Sequence, residues 1–211
     1  DSRIYDMACG GGRHALALAE MGHRVTAIDI GSYPIEHARQ VAHERNLKID
    51  FRCGDILATH FDNEFDLVHL ICGQMGHFSL EENQKIFDTA HRALRENGVF
   101  IIHLYQLPEE DRHNRGQWYK EKRPLYFEHV SLVCREQYYF AEERVKVIRD
   151  FAIDSVTKEN RWFGISEREY RPEEMRAMAD SAGFRVSELF RGFGREDCGP
   201  DTTAFILVFS K

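Results

Sequence analysis

The 211-residue chain is poor in several features, and each shortage narrows the reading. No apolar run approaches the roughly 18–20 residues that cross a bilayer as a helix, so no membrane partner is expected. No signal-peptide pattern opens the sequence. Cysteines number five: Cys9, Cys53, Cys72, Cys134 and Cys198. They are odd in number, scattered and never spaced C-x-x-C, which argues against a disulfide framework and for free thiols in a reducing cytoplasm. The 11 histidines show neither H-x-x-x-H nor Cys/His spacing, so no metal is indicated. Basic charge is short as well: 28 Lys plus Arg against 35 Asp plus Glu, a net of -7. That disfavours a nucleic-acid partner, whose phosphates are held mainly by basic surface. The one basic cluster, Arg112, Arg115, Lys120, Lys122 and Arg123, is interrupted by acids and reads as a solvated loop. There is no internal repeat or low-complexity segment. At 43% hydrophobic and 30% charged, what is present is globular. The chain begins at Asp1, without methionine and directly before a strand pattern, so a further N-terminal piece is expected.

The first half alternates short apolar runs with helical periodicity, as parallel strands with crossover helices do. Strands are predicted at residues 3–9, 23–30, 48–53, 65–72 and 99–105. Helices are predicted at 13–20, stopped by Gly22; from a Ser32 cap to about Arg45; and from a Ser79/Glu82 capping box to about Glu96, ended by Asn97-Gly98. Residues 106–124 are polar and read as a loop. Residues 125–134 and 137–155 alternate apolar and polar positions, as an antiparallel hairpin or small sheet does. Pro172 opens a last helix ended by Gly183, and two strands at 184–190 and 203–209 close the chain as an antiparallel pair. The expectation is an α/β, doubly wound, seven-stranded, mostly parallel sheet. One domain, 1–211, would contain an antiparallel β insertion or lid at 106–170.

The stretch YDMACGGGRHAL places three glycines between the first strand and the first helix. In open α/β sheets ligands bind beyond the carboxyl ends of the strands, where such turns lie. Gly10, Gly12 and Ala15 match the dinucleotide fingerprint G-x-G-x-x-A, with Asp29 at the distance of a ribose-binding acid. An NAD(P)-dependent oxidoreductase therefore competes here. Asp6 speaks against it: a carboxylate just before the turn repels a pyrophosphate and suits a ligand bearing an ammonium or sulfonium. The Gly54-Asp55-Ile56 turn suits an adenine, with the acid at its amine and the isoleucine under its ring.

D-x-x-C-G-x-G-R-H-A-L-A-L-A from Asp6, V-T-A-I-D, G-D-I, F-D-L-V and A-L-R-E-N-G-V-F-I-I follow in order. Together they resemble the class I S-adenosylmethionine-dependent methyltransferases, whose fold is Rossmann-like. The likeness covers residues 4–105, and the closing helix and strands resemble the family's last elements. Residues 106–169 resemble only loosely the β insertions of its small-molecule members. Ala8 stands where the family often has glycine, and Asn97 where it often has proline or lysine. The family's N-terminal covering segment would belong to the further piece expected before Asp1. The resemblance implies S-adenosyl-L-methionine as cofactor. Asp6 and the backbone of residues 8–12 (Ala8, Cys9, Gly10, Gly12) would hold its amino-acid end. Asp29 would bind the ribose hydroxyls, with Ile30 beside the adenine. Asp55 and Ile56 would read the adenine, and Cys72 and Gly73 would line the methionine part. Plain structural alternatives stand beside these: Asp6 and Asp55 as turn residues, Asp29 as a helix cap, Cys72 as a small core residue.

Methyl transfer asks the protein mainly to orient an acceptor and exclude water, and a hydroxyl acceptor also needs a base. The catalytic candidates are His77, in CGQMGHF after the fourth strand, and His103 and Tyr105, on one face at the end of the fifth. His14 either caps its helix or contacts the cofactor, and His69, mid-strand, reads as structural. The insertion is rich in aromatics, among them Trp118, Tyr119, Tyr126, Phe127, Tyr138, Trp162 and Phe163. They would line a lid over a small-molecule acceptor, pack on the sheet, or join two copies as a homodimer. The competing readings are the oxidoreductase, a non-catalytic regulator that binds the cofactor, and a nucleic-acid methyltransferase. The last is disfavoured by charge and by CGQM standing where an N/D-P-P-Y motif would.

Overall fold

The computed structural model describes residues 1–122, 127–194, 196–199 and 202–211, with Val186 and Ser187 described by backbone only. They form two compact units, Asp1–Tyr105 with Tyr170–Lys211, and Gln106–Glu169.

The first unit is a seven-stranded sheet with helices on both faces. Its strands are β1 (Arg3–Met7), β2 (Arg24–Asp29), β3 (Ile49–Cys53), β4 (Phe65–Leu70), β5 (Leu94–Tyr105), β10 (Arg185–Arg191) and β11 (Ala204–Ser210). The order is β10-β11-β5-β4-β1-β2-β3, and β11 alone runs against the rest. The order reverses between β1 and β4, which makes their carboxyl ends the ligand-binding position of such sheets.

Helices α1 (Arg13–Glu20) and α2 (Ser32–Glu44) cover β1–β3 on one face, around Ile4, Leu16, Val25, Ile35 and Phe51. Helices α3 (Leu80–Ala93) and α4 (Pro172–Ser181) cover the other. There Ile86, Phe87, Ala90 and Ala93 of α3 are fully buried at helical spacing, and Phe87 meets Phe100 and Phe209 edge-on at 5.4 Å. Each large apolar side chain so buried stabilises the fold by about 1.5–3 kcal/mol.

Several boundaries differ from the sequence expectation, each for a local reason. Strand β1 stops at Met7 because Ala8 turns left-handed, φ 54°. Helix α2 is capped by Gly31, not Ser32, which is its first helical residue. The Ser79/Glu82 box does open α3, but the helix ends at Ala93 rather than Glu96. Leu94 is already extended and pairs with Phe65, so Asn97-Gly98 lies inside β5. Left-handed Asn97, φ 64°, falls where the pairing skips from Phe65/Leu94 to Leu67/Val99.

The second unit is a four-stranded antiparallel sheet in chain order: β6 (Arg115–Glu121), β7 (Ser131–Phe140), β8 (Val145–Asp154) and β9 (Asn160–Arg168). Thus the expected loop at 106–124 contains a strand, and the tight hairpin falls at 141–144, not at 135–136. Arg123 of the expected basic cluster, Tyr126 of the aromatic set and the expected strand start at 125 lie outside the described residues. Arg112 and Arg115 of that cluster are paired with Glu169 and Asp111 at 2.9 and 2.8 Å. Among the described residues, no helix is long and apolar enough to cross a membrane.

Two glycines of the first turn separate packing from binding. A Cβ on Gly12, φ +75°, would stand 2.7 Å from the Phe51 ring and 3.0 Å from Ala38, whereas one on Gly10, φ +52°, would meet nothing within 4 Å. Gly12→Ala is expected to cost about 2–4 kcal/mol, from the left-handed backbone and the overlap together. Gly10→Ala is expected to cost about 1–2 kcal/mol, from the backbone alone. Equal losses in urea unfolding would contradict this division.

Candidate active site

The turn between β1 and α1 bends through three left-handed residues, Ala8 (φ 54°), Gly10 (φ 52°) and Gly12 (φ 75°). Cys9 N–H donates to Ile28 O at 3.0 Å and Gly12 N–H to Cys9 O at 2.9 Å, so the bend is tied to β2 and to itself. Asp29 fixes its outer edge: Oδ2 accepts from Gly10 N–H at 2.7 Å and Oδ1 from Gly31 N–H at 2.8 Å. Helix α1 starts with no side-chain cap and no acidic residue in its first turn. Its orphan N–H groups therefore favour a carboxylate there.

Asp6 lies beneath the bend, 2% exposed. Burial, and then the charge of Asp29, push its carboxyl up to about 7, against a pull downward from the Ala15 N–H. Its Oδ2 has no hydrogen-bond partner among the described residues. Burial, followed by the charges of Asp6 and Asp29, also raises the Cys9 thiol well above its ordinary range. Among the described residues the crook is thus an electronegative place without a cation paired to it. An ammonium-bearing ligand supplies what Asp6 lacks, and a pyrophosphate adds repulsion.

At the ends of β2 and β3, Ile30 is 77% exposed beside Asp29. Asp55 caps a short 3₁₀ turn, Ile56–Ala58, by accepting Leu57 N–H at 2.9 Å. One of its oxygens therefore has the structural role weighed as its alternative. Ile56 is 5% exposed and packs into the core rather than standing open.

At the end of β4, Cys72 (φ 65°) and Gly73 (φ 73°) form a second left-handed bend. Cys72 is exposed, so it is not the small core residue weighed as its alternative. A Cβ on Gly73 would fall 2.5 Å from the Tyr105 ring, so that ring lies directly on the glycine. As the alternation along β5 required, His103 and Tyr105 share a face, their rings 4.2 Å apart. His103 is buried, and among the described residues neither of its ring nitrogens is hydrogen-bonded. Burial lowers its pKa, with His14 a smaller influence in the same direction. His77 is exposed at the end of a 3₁₀ turn, Gln74–His77.

Three residues of this region make contacts that the sequence did not disclose. Buried Asn83 donates to Met75 O at 3.0 Å and to Phe78 O at 3.3 Å, and Tyr170 donates to Phe78 O at 2.9 Å. Together they pin the segment bearing His77 from below. His69 was read as structural, yet it lies beside Asp6, its Nδ1 3.5 Å from Asp6 Oδ1. With half-buried His14 it lines an apolar hollow of about 220 Å³, closed by Leu67, Ile101 and Phe193. Asn83 sits at an ordinary core position of α3, and His69 is 63 residues from Asp6, so only the topology joins them.

A family model described as a methyltransferase domain matches residues 4–98, from β1 through the start of β5. Over those residues, somewhat less than half of its length, the chain carries a methyltransferase domain, and the match supports the class I, S-adenosylmethionine-dependent family. Within it the chain is similar to the ubiquinone biosynthesis O-methyltransferase of Rickettsia akari (strain Hartford), 35% identical over 99 residues, 47% of this chain and 38% of that protein. It spans less than half the length of such curated relatives. Among solved structures, an S-adenosylmethionine-dependent methyltransferase from Clostridium acetobutylicum ATCC 824 superposes with TM-score 0.79 at 17% identity, over 99% of this chain and 83% of that one. CalS10, an amino pentose methyltransferase from Micromonospora echinaspora solved with S-adenosylmethionine bound, gives 0.66 at 16%, over 99% and 83%. At such identities the superpositions speak for the fold of the methyltransferase domain alone.

The Asp6 carboxyl holds its proton to about pH 7 in the fold but only to its ordinary value of 3.8 when exposed. Its contribution to stability is therefore full below about pH 4 and is lost as the pH climbs to 7. Asp6→Asn lacks that loss. Its stability relative to the wild type is expected to grow from pH 5 to pH 8, by about 2–3 kcal/mol. Parallel stability–pH curves for the two proteins would contradict the burial of an ionising carboxyl.

Proposed function

We propose that the chain transfers the methyl group of S-adenosylmethionine to an oxygen or nitrogen of a small organic acceptor. The observation that carries this reading is the buried Asp6 carboxylate, without a cation of its own, beneath a glycine bend whose outer side is open at Gly10. When bound, the cofactor supplies a methyl group on a positively charged sulfur, already electrophilic. Asp6 receives the cofactor's ammonium, and the N–H groups of the bend and of α1 receive its carboxylate. Asp29 holds the ribose hydroxyls with the lone pairs left beside Gly10 and Gly31. Ile30, Asp55 and the Ile56 turn border the adenine, and Cys72 and Gly73 border the methionine chain.

Beyond them His77, His103 and Tyr105 face the acceptor side. His77, exposed on its pinned segment, is the proposed base that takes the proton of a hydroxyl acceptor. The name of one relative, an O-methyltransferase, supports an oxygen acceptor, and a structural neighbour acts on an amino pentose. The surplus of acidic residues weighs against a nucleic-acid acceptor. The cysteines, none in a disulfide, fit a cytoplasmic setting.

The outward row Trp118, Cys134, Phe151, Trp162 of the four-stranded sheet, with Trp118 and Trp162 63% and 61% exposed, supports self-association through this unit.

Asp29→Ala is expected to weaken S-adenosylhomocysteine binding by about 10- to 100-fold, the range for hydrogen bonds to a charged group. His77→Ala is expected to leave that affinity intact and slow turnover by about 10²–10⁴. Unchanged affinity in the first variant removes the ribose role, and full turnover in the second removes the base. Light scattering should give a dimer for the wild type and a monomer for Trp162→Lys. A monomeric wild type contradicts the association.

A further inference from the structure

Asp6 and His69 stand opposite each other in register on the neighbouring central strands β1 and β4. They are 2% and 4% exposed, in positions flanked along their strands by buried Tyr5, Met7, Val68 and Leu70. Asp6 Oδ1 and His69 Nδ1 are 3.5 Å apart, at the outer limit of a hydrogen bond. Among the described residues, Asp6 Oδ2 and both ring nitrogens of His69 have no hydrogen-bond partner, so the 3.5 Å approach is a near contact not yet closed into a hydrogen bond, and Asp6 makes no ion pair with Lys or Arg. Buried polar groups are nearly always partnered, so two facing groups left without hydrogen bonds at these atoms call for an explanation.

We propose that His69 is a positioning residue for the cofactor. In this reading its Nδ1–H donates to Asp6 and keeps that carboxylate ionised and aimed at the ammonium it receives. The inference rests on the cofactor reading above.

The surroundings set the proton balance. Asp29 on β2 opposes ionisation of Asp6, and the Ala15 N–H on α1 favours it. The Tyr5 hydroxyl on β1 and the Cys9 thiol in the bend are both held protonated, chiefly by burial. His14 on α1 lies with its ring 6.3 Å from that of His69, and His103 lies on β5. Burial, then His14, depress His69 to about 4, so near neutral pH it is an uncharged donor rather than a counter-ion. When an ammonium arrives, the proton on Asp6 leaves to solvent, and the His69 N–H tightens onto the carboxylate left behind.

The test measures affinity of the whole chain for S-adenosylhomocysteine and for 5′-methylthioadenosine, which lacks the ammonium, between pH 5.5 and 9. Wild type, His69→Leu and His69→Gln are compared. In the wild type, S-adenosylhomocysteine affinity is expected to fall about tenfold per pH unit below a midpoint near 7, while 5′-methylthioadenosine shows no such fall. His69→Leu should move the midpoint up by about one pH unit and leave affinity at pH 9 nearly unchanged, and His69→Gln, still a donor, should restore it. A midpoint that stays in place in His69→Leu overturns the proposal, whatever that variant loses in stability. If His69→Leu does not fold, imidazole ¹⁵N spectra of the wild type decide. The His69 Nδ1 resonance must move with S-adenosylhomocysteine and not with 5′-methylthioadenosine, and a still resonance overturns the role. Absence of any S-adenosylhomocysteine binding by the wild type at pH 9 overturns the cofactor reading itself.

Discussion

A carboxylate held out of water beneath a bare backbone bend is the constraint on which the site depends. Asp6 sits on β1, between β4 and β2, and cannot reach solvent without breaking the sheet. Its charge has to be met from above, and among the described residues no lysine or arginine pairs with it. The bend above it is narrow in what it tolerates. Gly12 is pressed against Phe51 and Ala38, so α1 and α2 can close on the sheet only with hydrogen at that position, while Gly10 opens outward. Packing and ligand approach thus fall to two glycines two residues apart. The same bend on the same kind of sheet serves dinucleotides elsewhere. In the proposed site the sign of the charge around it favours a cationic thioether over a pyrophosphate.

The proposed acceptor side is built differently. Its residues come from the ends of β4 and β5 and are held by packing more than by charge. Tyr105 lies on Gly73, His103 lies against Tyr105, and Phe193 meets His103 at 5.0 Å. Asn83 and Tyr170 fix the segment carrying His77 through main-chain carbonyls. A preorganised wall of this kind suits a reaction in which the methyl donor is already activated and the protein's share is orientation.

What the sequence disclosed, and what it hid, follows from the range of each interaction. The sheet was legible because β1, β2, β4 and β5 are short apolar runs between helical patterns, and the Ser79/Glu82 box is a local signal. Asp29 was legible from its spacing to Gly10. Strand β6 was hidden because nearly all its residues are exposed and carry no alternation, and β9 for the same reason. The helix end at Ala93 was hidden because Asn97-Gly98 is an ordinary stop signal. Pairing of Leu94 with Phe65 overrode it. His69 was visible as a residue but not as a neighbour of Asp6, since that contact exists only once β4 lies beside β1. The capping role of Asp55 and the inward turn of Ile56 likewise depend on how the chain leaves β3.

Calorimetric competition on the whole chain tests the central claim most directly, with S-adenosylmethionine, its demethylated product and NADH offered to the same site. The account predicts heat with the first two, mutual displacement between them, and no displacement of either by NADH. Binding of NADH that displaces the thioethers, or no heat with either thioether, would contradict it.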